Sequence, residues 1–393
     1  MIPRFKPYLG KEEFSSIFKN HRNAIPRFEK AFAAKFNVED AIAFPYGRSA
    51  QWAFFKANGI EGAEILMPAY TCSVVAHAVK LSGNEPVFVD IKLSDYNMDL
   101  DQLASKVTSK TRAIIATHTF GYPQDIDRLE SIASEASRKF GHKVWLMQDC
   151  CHAFGAQWKG RDIHSSGGVA VFAFNISKMI TSVFGGMVTF QDNVQAKRMR
   201  AFRDAIYNNS NVWKDLTRRL YLFAVCLAFN PSIYGMVWWL QEKTSVLSRF
   251  TDSFHLEDKI QFPPDYLTKM TEFEAIIGDM QIKKYDRIIK KRRDMAFWYD
   301  RNLSRRDGWR FPQIVDGATY SHYTVAVPDR YKVIHEYARK GIELGSLIQY
   351  CIPALKSYGQ NKYDFPKSVE ASLNTINFPV SLNIEDIQSR LLQ

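Results

Sequence analysis

Short apolar runs alternate with stretches of helical periodicity along the first two thirds of the chain. The runs at 64–67, 86–90, 112–117, 144–148, 169–174 and 186–190 are each four to six residues long. Runs this short, bounded by Gly, Pro or polar residues, read as buried strands. Between them, 50–58 reads as a helix after a turn at Gly47, 73–82 as a helix closed by Gly83, and 129–140 as a third helix. Strands separated by helices of this length imply βαβ units and a mostly parallel sheet between helices. In such open sheets ligands sit beyond the carboxyl ends of the strands, so the residues that follow each strand carry the chemical interest.

From about 208 to 243 the pattern changes to aromatic and apolar with no strand alternation. Residues 272–303 then read as one long helix, and the tail from 310 onward mixes strands and helices. The expected organisation is a large α/β domain over 1–255, carrying an apolar helical insert near 208–243. The long helix and a smaller C-terminal α+β domain then occupy 256–393. Within the insert, 220–229 and 233–240 are apolar arms and Asn230-Pro231 breaks them. Proline cannot continue a helix and disfavours helical geometry before it, so a helical hairpin is expected.

Composition narrows the function only a little. The chain has 393 residues, 46% of them hydrophobic and 24% charged, an ordinary globular balance. The net charge of +11 favours anionic partners, but the basic residues are dispersed. The densest run, Lys290-Lys291-Arg292-Arg293, reads as a solvated helix face, and no nucleic-acid partner is expected. Five unevenly spaced cysteines (Cys72, Cys150, Cys151, Cys226 and Cys351) form neither a disulfide framework nor a zinc signature. The first residues have no apolar signal core, and no apolar run approaches the roughly 20 residues of a spanning helix. A cytoplasmic protein is expected, at most peripheral at the inner membrane face.

Two residues carry the candidate chemistry. Asp149 follows the apolar run 144–147 after only Gln148, and a carboxylate at the end of a buried strand is costly unless paired. Lys178 follows the run 169–174 and precedes a Gly185-Gly186 turn. Singly, a helix cap and a solvated lysine would explain them. Together they meet the needs of pyridoxal phosphate: an amine that can form a Schiff base, and a carboxylate that keeps a pyridinium nitrogen protonated.

An ordered series of motifs then resembles a known family. It runs from Phe5-Lys6-Pro7-Tyr8-Leu9-Gly10 through Pro68-Ala69-Tyr70-Thr71 and His118-Thr119-Phe120-Gly121-Tyr122-Pro123. It continues in Asp149-Cys150-Cys151-His152-Ala153-Phe154-Gly155-Ala156, Lys178, Gly185-Gly186-Met187 and Glu272-Phe273-Glu274-Ala275-Ile276-Ile277-Gly278. The chain resembles the DegT/StrS-type sugar-nucleotide aminotransferases, within the fold-type I pyridoxal phosphate enzymes. The resemblance implies that Lys178 binds the cofactor covalently and that Asp149 pairs with its ring nitrogen. It implies that His152 lies close to the ring, and that the backbone at Gly47 and Ser49 holds the phosphate at a helix N-terminus. The activity implied is transfer of an amino group, commonly from glutamate, to a keto sugar that is nucleotide-linked, by a homodimer with active sites at the subunit interface. A sugar dehydratase and a non-catalytic member of the same fold are the alternatives.

The departures from the family pattern gather at the phosphate and ring positions. Ala173 stands where a serine is usual, Leu267 where a neighbouring subunit offers an asparagine, Cys72 where an aromatic stacks on the ring, and Phe184 where the turn carries an acid. Arg48 replaces a small polar residue, and its guanidinium could clamp the phosphate or face the substrate. The insert offers a last expectation. Lys214, Arg218 and Arg219 flank it on one side, Lys243 and Arg249 on the other, and Trp238-Trp239 lie near its end. That composition suits peripheral contact with anionic lipid through 212–243, and equally a hairpin packed on the body or on a partner subunit.

Overall fold

The computed structural model describes residues 1–243, 259–380 and 384–391. A seven-stranded sheet forms its centre. Its strands are β1 (Asp40–Phe44), β2 (Glu64–Pro68), β3 (Glu85–Val89), β4 (Thr111–Thr117) and β5 (Trp145–Asp149). After a small hairpin of β6 (Gln157–Trp158) and β7 (Arg161–Asp162) come β8 (Gly168–Ala173) and β9 (Gly186–Phe190). The spatial order is β1-β9-β8-β5-β4-β2-β3. Strands β3, β2, β4, β5 and β8 pair in parallel, whereas β9 runs antiparallel to both β8 and β1. Every residue of β5 and β9 is buried, because helices cover both faces and the strands need apolar residues on each.

The parallel register sets up the site. Thr117 and Asp149, the last residues of β4 and β5, lie side by side, with Val171 of β8 beside Asp149. The polar ends of β4 and β5 therefore open toward the same point.

Helix Gly47–Ala57 begins three residues earlier than its apolar periodicity predicts, so Gly47 itself is its first residue. Its N-cap, Tyr46, makes no side-chain capping bond, which leaves the first N–H groups of the helix without a side-chain partner. Space forces glycine here. A Cβ at Gly47 would lie 2.9 Å from the Ala173 Cβ, and one at Gly186 would lie 2.4 Å from the Gly47 nitrogen.

The long helix, Glu272–Asn302, opens with a capping box in which Thr271 accepts from the Glu274 N–H and the Glu274 carboxylate accepts from the Thr271 N–H. Its first half packs with Phe28, Phe32 and Phe36 in one core cluster. Its second half enters a different cluster with Met295, Tyr299, Tyr323 and Phe378, around the two-stranded sheet of β10 (Tyr323–Ala326) and β11 (Thr375–Phe378). The basic run on this helix is not a solvated face. Arg292 is 1% exposed and donates to the Ser321 carbonyl, and Arg293 donates to that of Ala318. Four successive residues fan over about 300° of the helix, so they cannot share one face. Lys290 keeps a simple exposed pair, with Asp294.

The insert breaks where expected, into helices Val212–Ala228 and Pro231–Lys243, but they meet at a bend of 100° and do not fold back as an antiparallel hairpin. Pro231 opens the second helix, where its missing N–H costs nothing. The basic residues thought to flank the insert for lipid turn inward instead. Lys214 is buried and donates to the carbonyls of Thr268 and Lys269, Arg218 pairs with Asp265 and Glu274, and Arg219 donates to the carbonyls of Ser16, Ile17 and Lys19. Arg249 lies outside the described residues. No single helix among the described residues is long and apolar enough to cross a membrane.

Candidate active site

A cavity of about 160 Å³ lies at the carboxyl ends of β4, β5 and β8. Among the residues named from sequence, Gly47, Arg48, Cys72, Asp149, His152 and Lys178 line it, as do the departures Ala173 and Phe184. Ser49 does not line it. Its side chain is fully buried and its hydroxyl has no partner among the described residues, so its backbone N–H is the group that can serve an anion there. Leu267 packs instead against the core beside Trp52.

At the strand end, Asp149 is 5% exposed and held from two sides. The Thr117 hydroxyl donates to its Oδ2 at 3.1 Å, and the Cys151 N–H donates to its Oδ1 at 3.1 Å. Two such bonds fix the rotamer. Behind it, buried His118 accepts the Gln124 N–H on Nδ1, so its proton sits on Nε2, facing Gln148 Oε1 at 2.8 Å. Burial pushes this imidazole down to about 4.

His152 faces the cavity with its ring nearly parallel to Phe120, 6.2 Å away, and His322, just before β10, lies 5.6 Å away. Burial, then the positive charge of Lys178, pushes His152 well below the usual imidazole range, so the ring is neutral. Its Nδ1 is buried without a protein partner. Lys178 is half-buried on the link between β8 and β9, where its N–H closes a turn onto the Asn175 carbonyl.

The opposite end of the cavity is an anion cradle. It combines the uncapped N-terminus of helix 47–57 with Arg48, whose Nη1 is buried without a partner. A helix N-terminus and an unpaired guanidinium nitrogen together call for an anion such as phosphate. The neighbouring walls are held by the insert. Arg218 donates to the Tyr46 hydroxyl at 2.9 Å, and that hydroxyl donates to Asp265 at 2.7 Å. The same guanidinium lies 4.4 Å from the centre of the Phe184 ring. Phe184, out of place against the family's acid, is thus the platform for a cation from the insert.

These residues fit pyridoxal phosphate: unpartnered donors for a phosphate, a carboxylate fixed at a strand end, and a lysine lining the same cavity. Residues missed from sequence are Tyr46, Thr117, Cys151, Arg218 and His322. Thr117 was within reach, as the last residue of a predicted strand. His322 and Arg218 meet the site only through tertiary contact.

Sheet order and cavity define a fold-type I pyridoxal phosphate enzyme. Comparison with known proteins makes this specific: a model of the DegT/DnrJ/EryC1/StrS aminotransferase family matches residues 14–390, and the chain belongs to that family. It is 30% identical over 312 residues to the GDP-perosamine synthase of Escherichia coli O157:H7, covering 77% of this chain and 71% of the relative. The crystal structure of the sugar aminotransferase CalS13 from Micromonospora echinospora superposes with a TM-score of 0.76 at 20% identity, over 100% of this chain and 98% of the other. The PLP form of a sugar aminotransferase from Streptococcus pneumoniae, Spr1654, gives a TM-score of 0.74 at 18% identity, over 99% and 96%. The protein is a pyridoxal phosphate-dependent aminotransferase.

Proposed function

We propose that the protein transfers an amino group, with glutamate as donor, to a nucleotide-linked keto sugar in surface-polysaccharide or secondary-metabolite synthesis. The observation that carries this reading is the meeting of Lys178, Asp149 and the Arg48 cradle in one cavity at the strand ends. The GDP- and dTDP-sugar chemistry in the names of similar proteins supports the substrate class.

In this reading the bound cofactor supplies an electron sink at the carbon that carries the nitrogen. Asp149, fixed by Thr117 and Cys151, holds a proton at the ring nitrogen. Lys178 Nζ anchors the cofactor and moves a proton to and from the substrate carbon. Neutral His152 offers Nδ1 to the ring's oxygen. Gly47 and Ser49, through their N–H groups, and Arg48, through its guanidinium, bind the phosphate, while Cys72 packs beside the ring.

The chain divides into a cofactor domain over 1–255 and a small domain with the long helix over 256–393. It acts as a homodimer in the cytoplasm, attached peripherally to the inner membrane face through 212–243. The test is spectroscopic. The purified holoenzyme should show the visible band of a lysine-bound cofactor, glutamate should bleach it, and one member of a keto-sugar panel should restore it. A band that no amino donor bleaches would leave a fold without transamination.

A further inference from the structure

The Val212–Ala228 helix is amphipathic the wrong way round for water. Its inward face carries Lys214, Arg218 and Arg219, which engage the body, and Asp215, which pairs with Arg219 on the same helix, together with Leu222 and Val225. Its outward face carries Val212, Trp213, Leu216, Leu220 and Leu227, between 41% and 81% exposed. The last four recur at steps of three, four and seven residues, which is one stripe of a helix. A soluble helix places these two sets the other way.

The stripe is wider than one helix. Helix Lys11–Ser16 lies beside it, with the Phe14 and Phe223 rings 5.9 Å apart. Phe14 and Phe18 are 39% and 70% exposed. Arg219 fixes the pair, since its guanidinium accepts no bonds of its own and caps the carbonyls at the end of the short helix. Lys11, Lys19 and Arg22 are exposed around the two phenylalanines. Past the break, Met236 and Trp239 are exposed as well, while Trp238 turns toward Lys332 and Arg339 of the small domain. The two arms together have the length and apolarity of a membrane span, but their 100° bend forbids a straight crossing.

We propose that this face, formed by Phe14, Phe18 and the exposed stripe from Trp213 to Leu227, seats in the interfacial layer of an anionic phospholipid membrane, with Lys11, Lys19 and Arg22 at the headgroups. It rests on the peripheral-attachment reading above and replaces that reading's basic residues. Aromatic and aliphatic side chains exposed on a contiguous face, with cations beside them, fit the boundary between headgroups and acyl chains. A second copy of the chain would gain from the apolar stripe but would meet the same unpaired cations.

The test uses the full-length holoenzyme and vesicles of phosphatidylglycerol, or of phosphatidylcholine alone, in co-sedimentation at low salt. Wild type should pellet with phosphatidylglycerol and stay in solution with phosphatidylcholine. Phe18→Ser with Trp213→Ser should lose binding at least about tenfold. Lys19→Ser with Arg22→Ser should lose about thirtyfold, at about 1 kcal/mol per cation. Both double variants should keep the wild-type glutamate bleaching, because none of these residues touches the cavity. A holoenzyme that bleaches normally yet ignores phosphatidylglycerol overturns this proposal and leaves the aminotransferase reading intact. Should Phe18→Ser with Trp213→Ser dissociate a dimer in sedimentation velocity, the face belongs between subunits and the proposal is also overturned.

Discussion

The two ends of the cavity are built by different means. The strand end takes Thr117 and Asp149 from adjacent strands, so sheet register alone sets their spacing. The anion end takes Tyr46 and Phe184 from separate segments and holds both with Arg218, which lies 172 residues after Tyr46. The family's departures fall almost wholly at the second end. The chemistry explains the asymmetry. A proton on a ring nitrogen needs a carboxylate at one place, whereas a phosphate can be gripped by any set of well-aimed donors. Arg48 is one such donor, and the Arg218–Phe184 contact holds the wall beside it.

The strand end should therefore tolerate no substitution. Lys178→Ala should lower transamination by about a thousandfold, the middle of the range for a positioned proton-transfer group, and abolish covalent cofactor attachment. Borohydride reduction and peptide mapping check this, and a label on another lysine would move the site. Asp149→Asn should keep its fold and lose about a hundredfold in turnover, since a facing carboxylate shifts a cation's pKa by one to three units. Near-normal turnover would remove Asp149 from the mechanism.

The strand end should also be the acid-sensitive one. His118 is held neutral with a folded value of about 4, against an ordinary value of about 6.5 in the unfolded chain. The unfolded state binds the extra proton first. The stability gained from the neutral ring is full above about pH 6.5 and falls by about 3 kcal/mol as the pH drops to about 4. His118→Gln, which keeps a polar side chain but cannot titrate there, should flatten that part of a denaturation-versus-pH curve. An unchanged slope would mean that His118 does not set it.

The same contrast decides what the sequence could reveal. Strands β2 to β5, β8 and β9 were legible because each is a short apolar run between turn residues, and Asp149 and Lys178 because they follow such runs. Strand direction was not. The antiparallel course of β9 depends on the helix-free link 174–185, and residue alternation carries no direction. Strand β1 and helix Ala24–Lys35 went unplaced, although Phe28, Phe32 and Phe36 make a large part of the core. The start of helix 47–57 was set late because Gly47 reads as a turn breaker by propensity, whereas its close packing on Ala173 demands glycine. His322 and Arg218 act across the whole fold, and local pattern cannot announce them. The insert illustrates this best: its composition suggested lipid, but only the structure separates the cations spent on the body from those left outside.

At the anion end the effects should be graded. Arg48→Ala should weaken cofactor retention by about tenfold or more, the worth of one charged hydrogen bond. A cofactor dissociation constant that stays put while the substrate KM rises would assign Arg48 to the substrate.

The smallest and most discriminating effect is expected at Phe184, because it separates this chain's way of building the cradle from the family's. The ring is 5% exposed, and its contact with Arg218 is partly desolvated. A cation–π contact of this kind is worth about 1 kcal/mol. Phe184→Leu keeps most of the apolar volume but removes the ring, so Arg218 would hold Tyr46 alone. Cofactor retention should fall about fivefold, while Lys178 attachment and the bleaching by glutamate at saturating cofactor stay as in wild type. Phe184→Glu would reinstate the family's acid, yet it should not do better. A third carboxylate would then compete with Asp265 and Glu274 for the guanidinium of Arg218, which both already engage. If Phe184→Glu instead binds cofactor more tightly than wild type, the departure is a defect in the cradle and the insert is not its replacement.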